Sequence, residues 1–131
     1  ASIEAATYEA KLDDRVTSEM IDKNLEGYLA QKEINVMKKT KKNFKETNIR
    51  EDIFEVKNIS DDEGTKLFMF LAAGSKRNLK PESVVDGLYQ YLGIEFDKYE
   101  IRYKRIETFR KENDKYMGLA EGVEALWKEY L

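Results

Sequence analysis

The apolar run over residues 67–73 restricts the possible folds of this chain more than any other segment. It is apolar on both faces of an extended strand, and it lies between the turn-forming sequence Asp-Asp-Glu-Gly at 61–64 and Gly74. Such a strand is typical of a central position in a sheet that is at least partly covered on both sides. The sequence therefore predicts a sheet built around this segment.

Two segments have the periodicity of helices that pack one face on a sheet. The first follows a capping residue at Thr17 or Ser18, and its apolar positions are Ile21, Leu25, Tyr28 and Leu29. The second begins at Pro81, where the missing N–H of proline removes no helical hydrogen bond, and it ends at Gly93. Its apolar face consists of Val84, Val85, Leu88, Tyr91 and Leu92.

Alternating apolar residues predict further strands over residues 3–12, 34–40, 44–57 and 96–109, with an irregularity at 50–52. In the last of these strands Tyr99 and Tyr103 share a face with Ile101, so we expect both tyrosines in the core. The predicted order is strand, helix, two or three strands, helix and strand. This order favours an α+β fold of the ferredoxin-like type, with an antiparallel sheet and two crossing helices.

The C-terminal region has a different pattern. A charged linker over residues 111–114 precedes a predicted amphipathic helix, which Gly118 and Gly122 weaken. The apolar residues of this helix are Leu119, Val123, Leu126, Trp127 and Tyr130. We therefore divide the chain into a ferredoxin-like α+β domain over residues 1–110 and a C-terminal helical extension over residues 111–131. We expect the helix to pack on the same chain or on a copy of it, and the oligomeric state stays open.

The chain contains neither cysteine nor histidine. Within this chain that excludes disulfides, thiolate metal sites, cysteine nucleophiles and a histidine general base. We expect no cofactor and no metal. Catalysis would have to use carboxylates, lysine, tyrosine or hydroxyls, and the adjacent carboxylates lie in turn-like sequence, where solvated turn residues are commoner than acid–base pairs. These carboxylate pairs are at 13–14, 51–52 and 61–62.

A strongly basic segment covers residues 36–50 of a protein whose net charge is −3. The segment nets +5, so the rest of the chain nets −8. Its basic residues are Lys38, Lys39, Lys41, Lys42, Lys45 and Arg50. Local positive charge on an acidic protein is typical of a surface that binds phosphate. The alternative is a hairpin whose lysines keep an exposed edge soluble.

A second candidate site is the loop over residues 74–81, which leads from a buried strand to the start of a helix. Helix N-termini attract anions through free N–H groups and the helix dipole. The loop adds a glycine, which lets the backbone approach a ligand closely, and polar or basic side chains. These residues are Gly74, Ser75, Lys76, Arg77, Asn78 and Lys80. Its spacing differs from a Walker loop. The alternative is an ordinary connection in which Asn78 holds a turn.

Aromatic residues near these lysines suggest base stacking on a sheet face, as in RNA-recognition sheets. The aromatic residues on or near predicted strands are Tyr8, Phe44, Tyr99, Tyr103 and Phe109. The alternative is that they form the core under the helices.

Three segments occur in an order that resembles the C-terminal half of the radical-SAM-linked domain of unknown function. They are residues 5–8, residues 38–50 and residues 72–82, and the Arg-Ile-Glu-Thr sequence at 105–108 also fits. The resemblance covers about residues 1–110. In that family the domain follows a radical SAM protein or is encoded beside one, and its biochemical role is not established. The family's N-terminal half, with its Ser-His-Leu-Asp-Leu motif, is absent from this sequence, as is the radical SAM cysteine cluster.

The resemblance and the basic segments together predict an accessory binding module without catalysis of its own, which serves a separate radical SAM protein and binds structured RNA such as tRNA or rRNA. The lysines would bind phosphates by charge, whereas Arg50, Arg77 and Asn78 would donate directed hydrogen bonds. Two alternatives stay open. One is a docking module for the radical SAM partner, and the other is a small RNA-modifying domain similar to pseudouridine synthases, although their catalytic aspartate motif is not found.

The sequence also indicates where such a protein would be found. No apolar run is long enough to span a membrane, and no signal peptide is visible, so we expect a cytoplasmic protein without a membrane partner. The chain begins at Ala1 without an initiator methionine, which is compatible with a fragment of a longer protein.

Overall fold

The computed structural model describes residues 3–39, 41–112 and 115–118 of the chain. This part contains seven strands and two α-helices, joined by short turns. In chain order they are β1 (Ala5–Lys11), α1 (Ser18–Ala30), β2 (Asn35–Lys39), β3 (Phe44–Asn48), β4 (Ile53–Asn58), β5 (Lys66–Ala72), α2 (Pro81–Leu92), β6 (Arg102–Glu112) and β7 (Lys115–Gly118). One-turn 3-10 helices occur at Arg50–Asp52 and Lys98–Glu100.

The strands form an antiparallel sheet in the order β4-β5-β1-β6-β7, and β2 and β3 form a separate hairpin. Helix α1 lies between β1 and β4 in the chain, and α2 lies between β5 and β6. The order β4-β5-β1-β6 with these two helical connections is the split β-α-β arrangement of a ferredoxin-like domain. The predicted α+β class is therefore confirmed. The β2–β3 hairpin is an insertion between α1 and β4.

Strand β5 has the central position that its sequence predicted. It pairs with both β1 and β4, and from Leu67 to Ala72 every residue is buried. Leu67, Met69 and Leu71 belong to the main core, which also contains the apolar faces of α1 and α2. Phe68 and Phe70 point to the opposite face of the sheet, because successive side chains of a strand alternate.

Local sequence signals also set the limits of the helices. The Thr17 hydroxyl accepts a hydrogen bond from the N–H of Met20 at 3.2 Å, so Thr17 caps α1. Pro81 is the first residue of α2, and Gly93 ends this helix with a φ of 73°, a left-handed conformation that glycine adopts without strain. The helices meet where the buried hydroxyl of Tyr28 donates to the carbonyl of Val84 at 2.9 Å.

The predicted strand over residues 96–109 begins later than expected. The Asp97 carboxylate accepts the N–H of Tyr99 at 3.0 Å and starts the 3-10 turn Lys98–Glu100, so β6 begins only at Arg102. This turn rotates Tyr99 out of the sheet, and the residue is 85% exposed. The expectation that Tyr99 lies in the core is therefore wrong. Tyr103 lies in β6, is partly buried and packs against the core, as expected.

The sheet continues beyond residue 110, where the ferredoxin-like domain was expected to end. Strand β6 runs to Glu112 and pairs with β7, with Phe109 opposite Gly118. Residues 111 and 112, predicted as part of a charged linker, are thus the end of a strand. The predicted C-terminal helix lies outside the described residues. Neither helix of the described part has the length and apolar content to cross a bilayer.

A phenylalanine cluster lies on the sheet face opposite the helices. It consists of Phe68 and Phe70 of β5 and Phe109 of β6, all buried, together with Ala5 and the partly buried Phe54. The rings of Phe54 and Phe70 are 5.4 Å apart in an edge-to-face contact, and those of Phe70 and Phe109 are 5.3 Å apart. Spacings of this size are favourable for aromatic pairs. The sheet therefore has apolar packing on both faces.

Asp13 ties the end of β1 to α2, although the sequence suggested a solvated turn residue. Its carboxylate accepts hydrogen bonds from the Arg15 guanidinium at 3.0 and 3.1 Å, from the Arg15 N–H at 3.0 Å and from the Tyr89 hydroxyl at 2.7 Å. The Arg15 hydrogen bond is the main cause that lowers the pKa of Asp13 to about 2. Asp13 is therefore a structural residue.

This geometry predicts the acid sensitivity of the fold. Because the pKa of Asp13 is lower in the folded protein than in the unfolded chain, its contribution to stability is complete above about pH 4 and is lost as the pH falls towards 2. We expect Asp13→Asn to lower the free energy of unfolding by roughly 1–2 kcal/mol at pH 7, less than the full shift implies because Arg15 is partly exposed.

Urea unfolding of both proteins at pH 7 and at pH 2.5 measures this effect. The difference between wild type and variant should shrink at the lower pH. Asp14→Asn, a change at the exposed neighbour, is the matched control and should behave as wild type at both values. A difference for Asp13→Asn that persists unchanged at pH 2.5 would contradict the assignment.

Candidate nucleic-acid interface

The basic hairpin, which we define as β2, β3 and the turn between them, rests with one face on α2. Val36 is buried, and both Val36 and Ile34 lie close to Gly87 of α2. A Cβ added at Gly87 would be 3.3 Å from Val36 Cγ1 and 3.2 Å from Ile34 Cγ2. The absence of a side chain at Gly87 thus allows the hairpin to approach the helix closely. Lys38 is two residues beyond Val36 and lies on the same face of β2.

The base of the hairpin is closed by its own residues. The Ile49 N–H donates to the Ile34 carbonyl at 2.7 Å, and the Asn48 side-chain oxygen accepts both the Ile34 N–H at 2.9 Å and the Arg50 N–H at 3.1 Å. The two ends of the insertion therefore meet at Asn48. Below this point the 3-10 turn Arg50–Asp52 leads into β4, which explains the irregularity predicted there.

Four lysines of the hairpin have no acidic partner in the part of the chain that the structure describes. Within the described ranges 3–39, 41–112 and 115–118, no carboxylate lies within ion-pair distance of Lys38, Lys41, Lys42 or Lys45. Lys38 and Lys45 are direct cross-strand neighbours, and like charges at such positions destabilise a hairpin. The side chain of Lys39 is outside the described part. This accumulation of positive charge is unfavourable for the free protein and favourable for an anionic ligand.

The two predicted arginine ligands have intramolecular partners instead. The Arg50 guanidinium donates to the Leu29 carbonyl at 2.7 Å and to the Ile53 carbonyl at 2.9 Å, and so it joins the end of α1 to β4. Arg77 pairs with Glu51 at 3.2 Å and with Asp52 at 2.6 Å. The hydrogen bond that Arg77 donates to the Glu51 carboxylate, followed by the charge of Asp52, raises the pKa of Arg77. In this arrangement both arginines fix the base of the hairpin.

The 74–81 loop is closed as a turn. The Gly74 N–H donates to the Arg77 carbonyl at 2.9 Å, and the Leu79 N–H donates to the Ala72 carbonyl at 2.8 Å. Gly74 does not have a positive φ. A Cβ there would lie 2.9 Å from an oxygen of the Glu4 carboxylate, but this is the end of an exposed, flexible side chain that can move aside. That carboxylate disfavours an anion at Gly74, whereas Ser75, Lys76 and Asn78 remain exposed.

The hairpin and the 74–81 loop meet on one side of the domain. Lys38 Nζ donates to the Asn78 carbonyl at 3.3 Å, across the mouth of a groove of about 500 Å³ between the hairpin and the start of α2. We call this the hairpin groove. Its lining comprises Met37, Lys38, Phe44, Asn78, Lys80, Glu82, Ser83, Asp86 and Lys98. Three lysines thus face two carboxylates, and the carboxylates are both on α2.

The structure divides the predicted site residues into groups. Lys38, Asn78 and Lys80 line one groove, and Lys41, Lys42 and Lys45 extend from it along the hairpin. Arg50 and Arg77 lie beneath, in structural contacts. Sequence reasoning did not include Lys98, which reaches the groove from the 3-10 turn before β6 and has no local signal that marks it as a ligand.

Of the aromatic residues considered for base stacking, Tyr8 and Phe109 are buried and Tyr103 is partly buried, whereas Tyr99 is exposed but is not part of the lining of the hairpin groove. Tyr8 is 7% exposed and Phe109 is fully buried. Arg105 covers the ring of Tyr8, with its guanidinium carbon 5.6 Å from the ring centroid. Phe44 is different, because the residue is 67% exposed and lines the hairpin groove. Phe44 is therefore the aromatic side chain best placed to stack on a base beside the lysines.

These features define a ferredoxin-like α+β domain with a basic hairpin inserted after its first helix. The chain belongs to the family described as "Uncharacterized protein conserved in bacteria (DUF2344)", whose model matches residues 1–81. The matched region includes the whole hairpin and reaches the first residue of α2. The prediction that the chain belongs to a domain family of unknown function is thus confirmed. No curated protein and no solved structure matches the chain.

Proposed function

We propose that this domain is a cytoplasmic accessory module that binds structured RNA, such as tRNA or rRNA, for a radical SAM protein. The observation that supports the proposal is that Lys38, Lys41, Lys42 and Lys45 have no acidic partner among the described residues, on the hairpin of a protein whose net charge is −3. Lysine side chains placed in this way bind phosphates without base specificity, and they release counterions from the RNA. The link to a radical SAM protein rests on the resemblance of residues 5–8, 38–50 and 72–82 to that family.

The hairpin groove suggests how RNA would be oriented on the hairpin. Lys38 and Lys80 would contact phosphates at the mouth of the groove, and the exposed ring of Phe44 would stack on an unpaired base. Glu82 and Asp86 repel phosphate from the α2 side of the groove. The RNA backbone would therefore follow the hairpin, with a loop or bulge directed towards Phe44.

The sheet face used by RNA-recognition domains would not take part. In those domains exposed aromatic residues of the sheet stack on bases. The corresponding face here carries Phe68, Phe70 and Phe109, which are at most 6% exposed. A buried ring cannot stack on a base, so the proposal assigns no base contact to this face.

A salt series tests the proposal directly. Binding of a fluorescently labelled tRNA to the wild-type protein should weaken linearly with salt on logarithmic axes, with a slope of about −4 to −5 if the five hairpin lysines and Lys80 each neutralise one phosphate. A mononucleotide should not compete, because it offers only one phosphate group. RNA binding that is absent at low salt would contradict the proposal, and saturable tight binding of a mononucleotide would favour a small enzyme instead.

A docking module for the radical SAM protein is the second candidate function. Met37 and Phe44 are 55% and 67% exposed and both line the hairpin groove, and exposed apolar side chains beside charges are common at protein interfaces. In that case the radical SAM protein should co-purify with the domain after nuclease treatment. Met37→Ser with Phe44→Ser should abolish co-purification, while RNA affinity stays below detection in the salt series.

A further inference from the structure

Strand β4 forms one edge of the sheet in the part of the chain that the structure describes. It pairs with β5 on one side, and no described strand lies on the other side. The Ile59 N–H donates to the Lys66 carbonyl at 2.9 Å, so the backbone of Ile59 points to β5. Because successive residues of a strand point their N–H and C=O groups to opposite sides, those of Val56 and Asn58 point away from β5. They can pair with a further strand.

An apolar groove of about 700 Å³ follows the same edge, between α1 and β4. Its apolar lining includes Ile21, Leu25 and Leu29 of α1 and Val56 of β4. Leu25 and Leu29 are only partly buried, although both pack against the main core. A partner that pairs with β4 would bring its own side chains over this groove. The edge therefore fits a partner that supplies both an extended strand and apolar side chains.

The charges beside Val56 indicate which partner fits this edge. Glu55 and Lys57 flank Val56 and lie on the face of the sheet opposite α1, where Lys57 Nζ is 3.5 Å from Glu55 Oε1. If β4 of a second copy pairs antiparallel with Val56 opposite Val56, each Glu55 lies opposite Lys57 of the other copy. Opposite charges at such positions stabilise a pair of strands. A two-fold axis at Glu55 or at Lys57 would instead set like charges opposite each other.

We propose that two copies of this chain associate through β4, antiparallel and about a two-fold axis at Val56. The Val56 N–H of each copy donates to the Val56 carbonyl of the other, since both groups point outwards. The two sheets then form one continuous sheet, with both α1 helices on the same face and a groove on either side of the paired Val56 side chains. The interface is isologous and closes at two copies, and its groove shares no lining residue with the hairpin groove.

Sedimentation equilibrium of the full chain tests this interface with two charge variants. Lys57→Glu and Glu55→Lys should each raise the dissociation constant of the dimer roughly tenfold or more, because two attractive pairs become repulsive. An equimolar mixture of the two variants should associate about as tightly as wild type, since the pairs become attractive again in the mixed dimer. Glu19→Lys and Lys23→Glu are the matched controls, because this ion pair of α1 is exposed and lies outside the groove lining.

Hydrogen exchange of the wild-type protein is a second measurement, and it decides the proposal even if Glu55→Lys fails to fold by circular dichroism. The Val56 amide should exchange slowly in the dimer and faster on dilution. The Lys57 amide, which points to Phe68 of β5, should be protected at both concentrations. A dimer that each charge variant weakens and that their mixture restores supports the proposal. A chain that stays monomeric at the concentrations of these measurements overturns it, and so does a dimer in which Val56 exchanges freely or which the controls weaken equally.

Discussion

Replacement of Lys38, Lys39, Lys41 and Lys42 together by glutamine is expected to lower the affinity for tRNA roughly 100-fold at physiological salt. Each lost phosphate contact reduces the slope of log affinity against log salt by about 0.7–0.9, so the slope should fall by about 3. The loss should be similar for RNAs of different sequence, because lysine–phosphate contacts carry no sequence information. Anisotropy titrations of wild type and variant over a salt series measure both quantities.

A charge-matched variant separates the hairpin from the net charge of the protein. Lys23, Lys32, Lys57 and Lys104 are exposed and lie outside the hairpin groove, and their joint change to glutamine alters the net charge equally. This control should bind RNA within a few-fold of wild type. Both variants should melt near the wild-type temperature, because exposed charges contribute little to stability. Equal losses in the two variants would show that overall charge, not the hairpin, determines binding.

Gly87→Ala is expected to destabilise the fold by roughly 2 kcal/mol, even though alanine favours helices by about 1 kcal/mol over glycine. A Cβ at Gly87 would lie 2.6 Å from the Tyr28 hydroxyl oxygen. Tyr28 is 1% exposed and donates to the Val84 carbonyl, so it cannot move aside without breaking a buried hydrogen bond. The hairpin would also be displaced, because Ile34 and Val36 pack at the same position. Urea unfolding monitors the stability.

Gly27→Ala, on helix α1, is the comparison variant for the stability effect of Gly87→Ala. A Cβ at Gly27 would lie 2.5 Å from the Tyr91 hydroxyl, which is as close as the contact at Gly87. Tyr91, however, is 43% exposed and can rotate into solvent. We therefore expect Gly27→Ala to be neutral or stabilising by up to about 1 kcal/mol. Equal destabilisation by both changes would mean that Tyr28 is as free to move as Tyr91.

The elements with strong local signals could be predicted from the sequence. The run that is apolar on both faces of a strand predicted the central position of β5. Thr17 and Pro81 marked the beginnings of the two helices, and Gly93 marked the end of α2. Tyr99 was misplaced because the carboxylate of Asp97 starts a 3-10 turn, and this turn interrupts an alternation that otherwise resembles a strand. A single side-chain hydrogen bond of this kind leaves no periodic trace in a sequence.

The positive charge of the candidate site could be predicted from the sequence, but the contact partners of its side chains could not. Consecutive lysines revealed the hairpin, and the contact of Lys38 with Asn78 joins it to the 74–81 loop. The role of Arg50 depends on carbonyls of Leu29 and Ile53, which any residue could supply, so its backbone contacts were invisible in the sequence. The partners of Arg77 lie more than twenty positions away in the chain, and only the fold brings them together.

Because the hairpin is closed at Asn48, the inserted hairpin can be exchanged as a unit. Since the strands of the sheet make their ladders without β2 and β3, a hairpin of another length or charge could be grafted between Ile34 and Asn48 while the sheet keeps its register. Exchange of the residues between Ile34 and Asn48 alone would therefore change the surface proposed to bind RNA without altering the strands of the sheet.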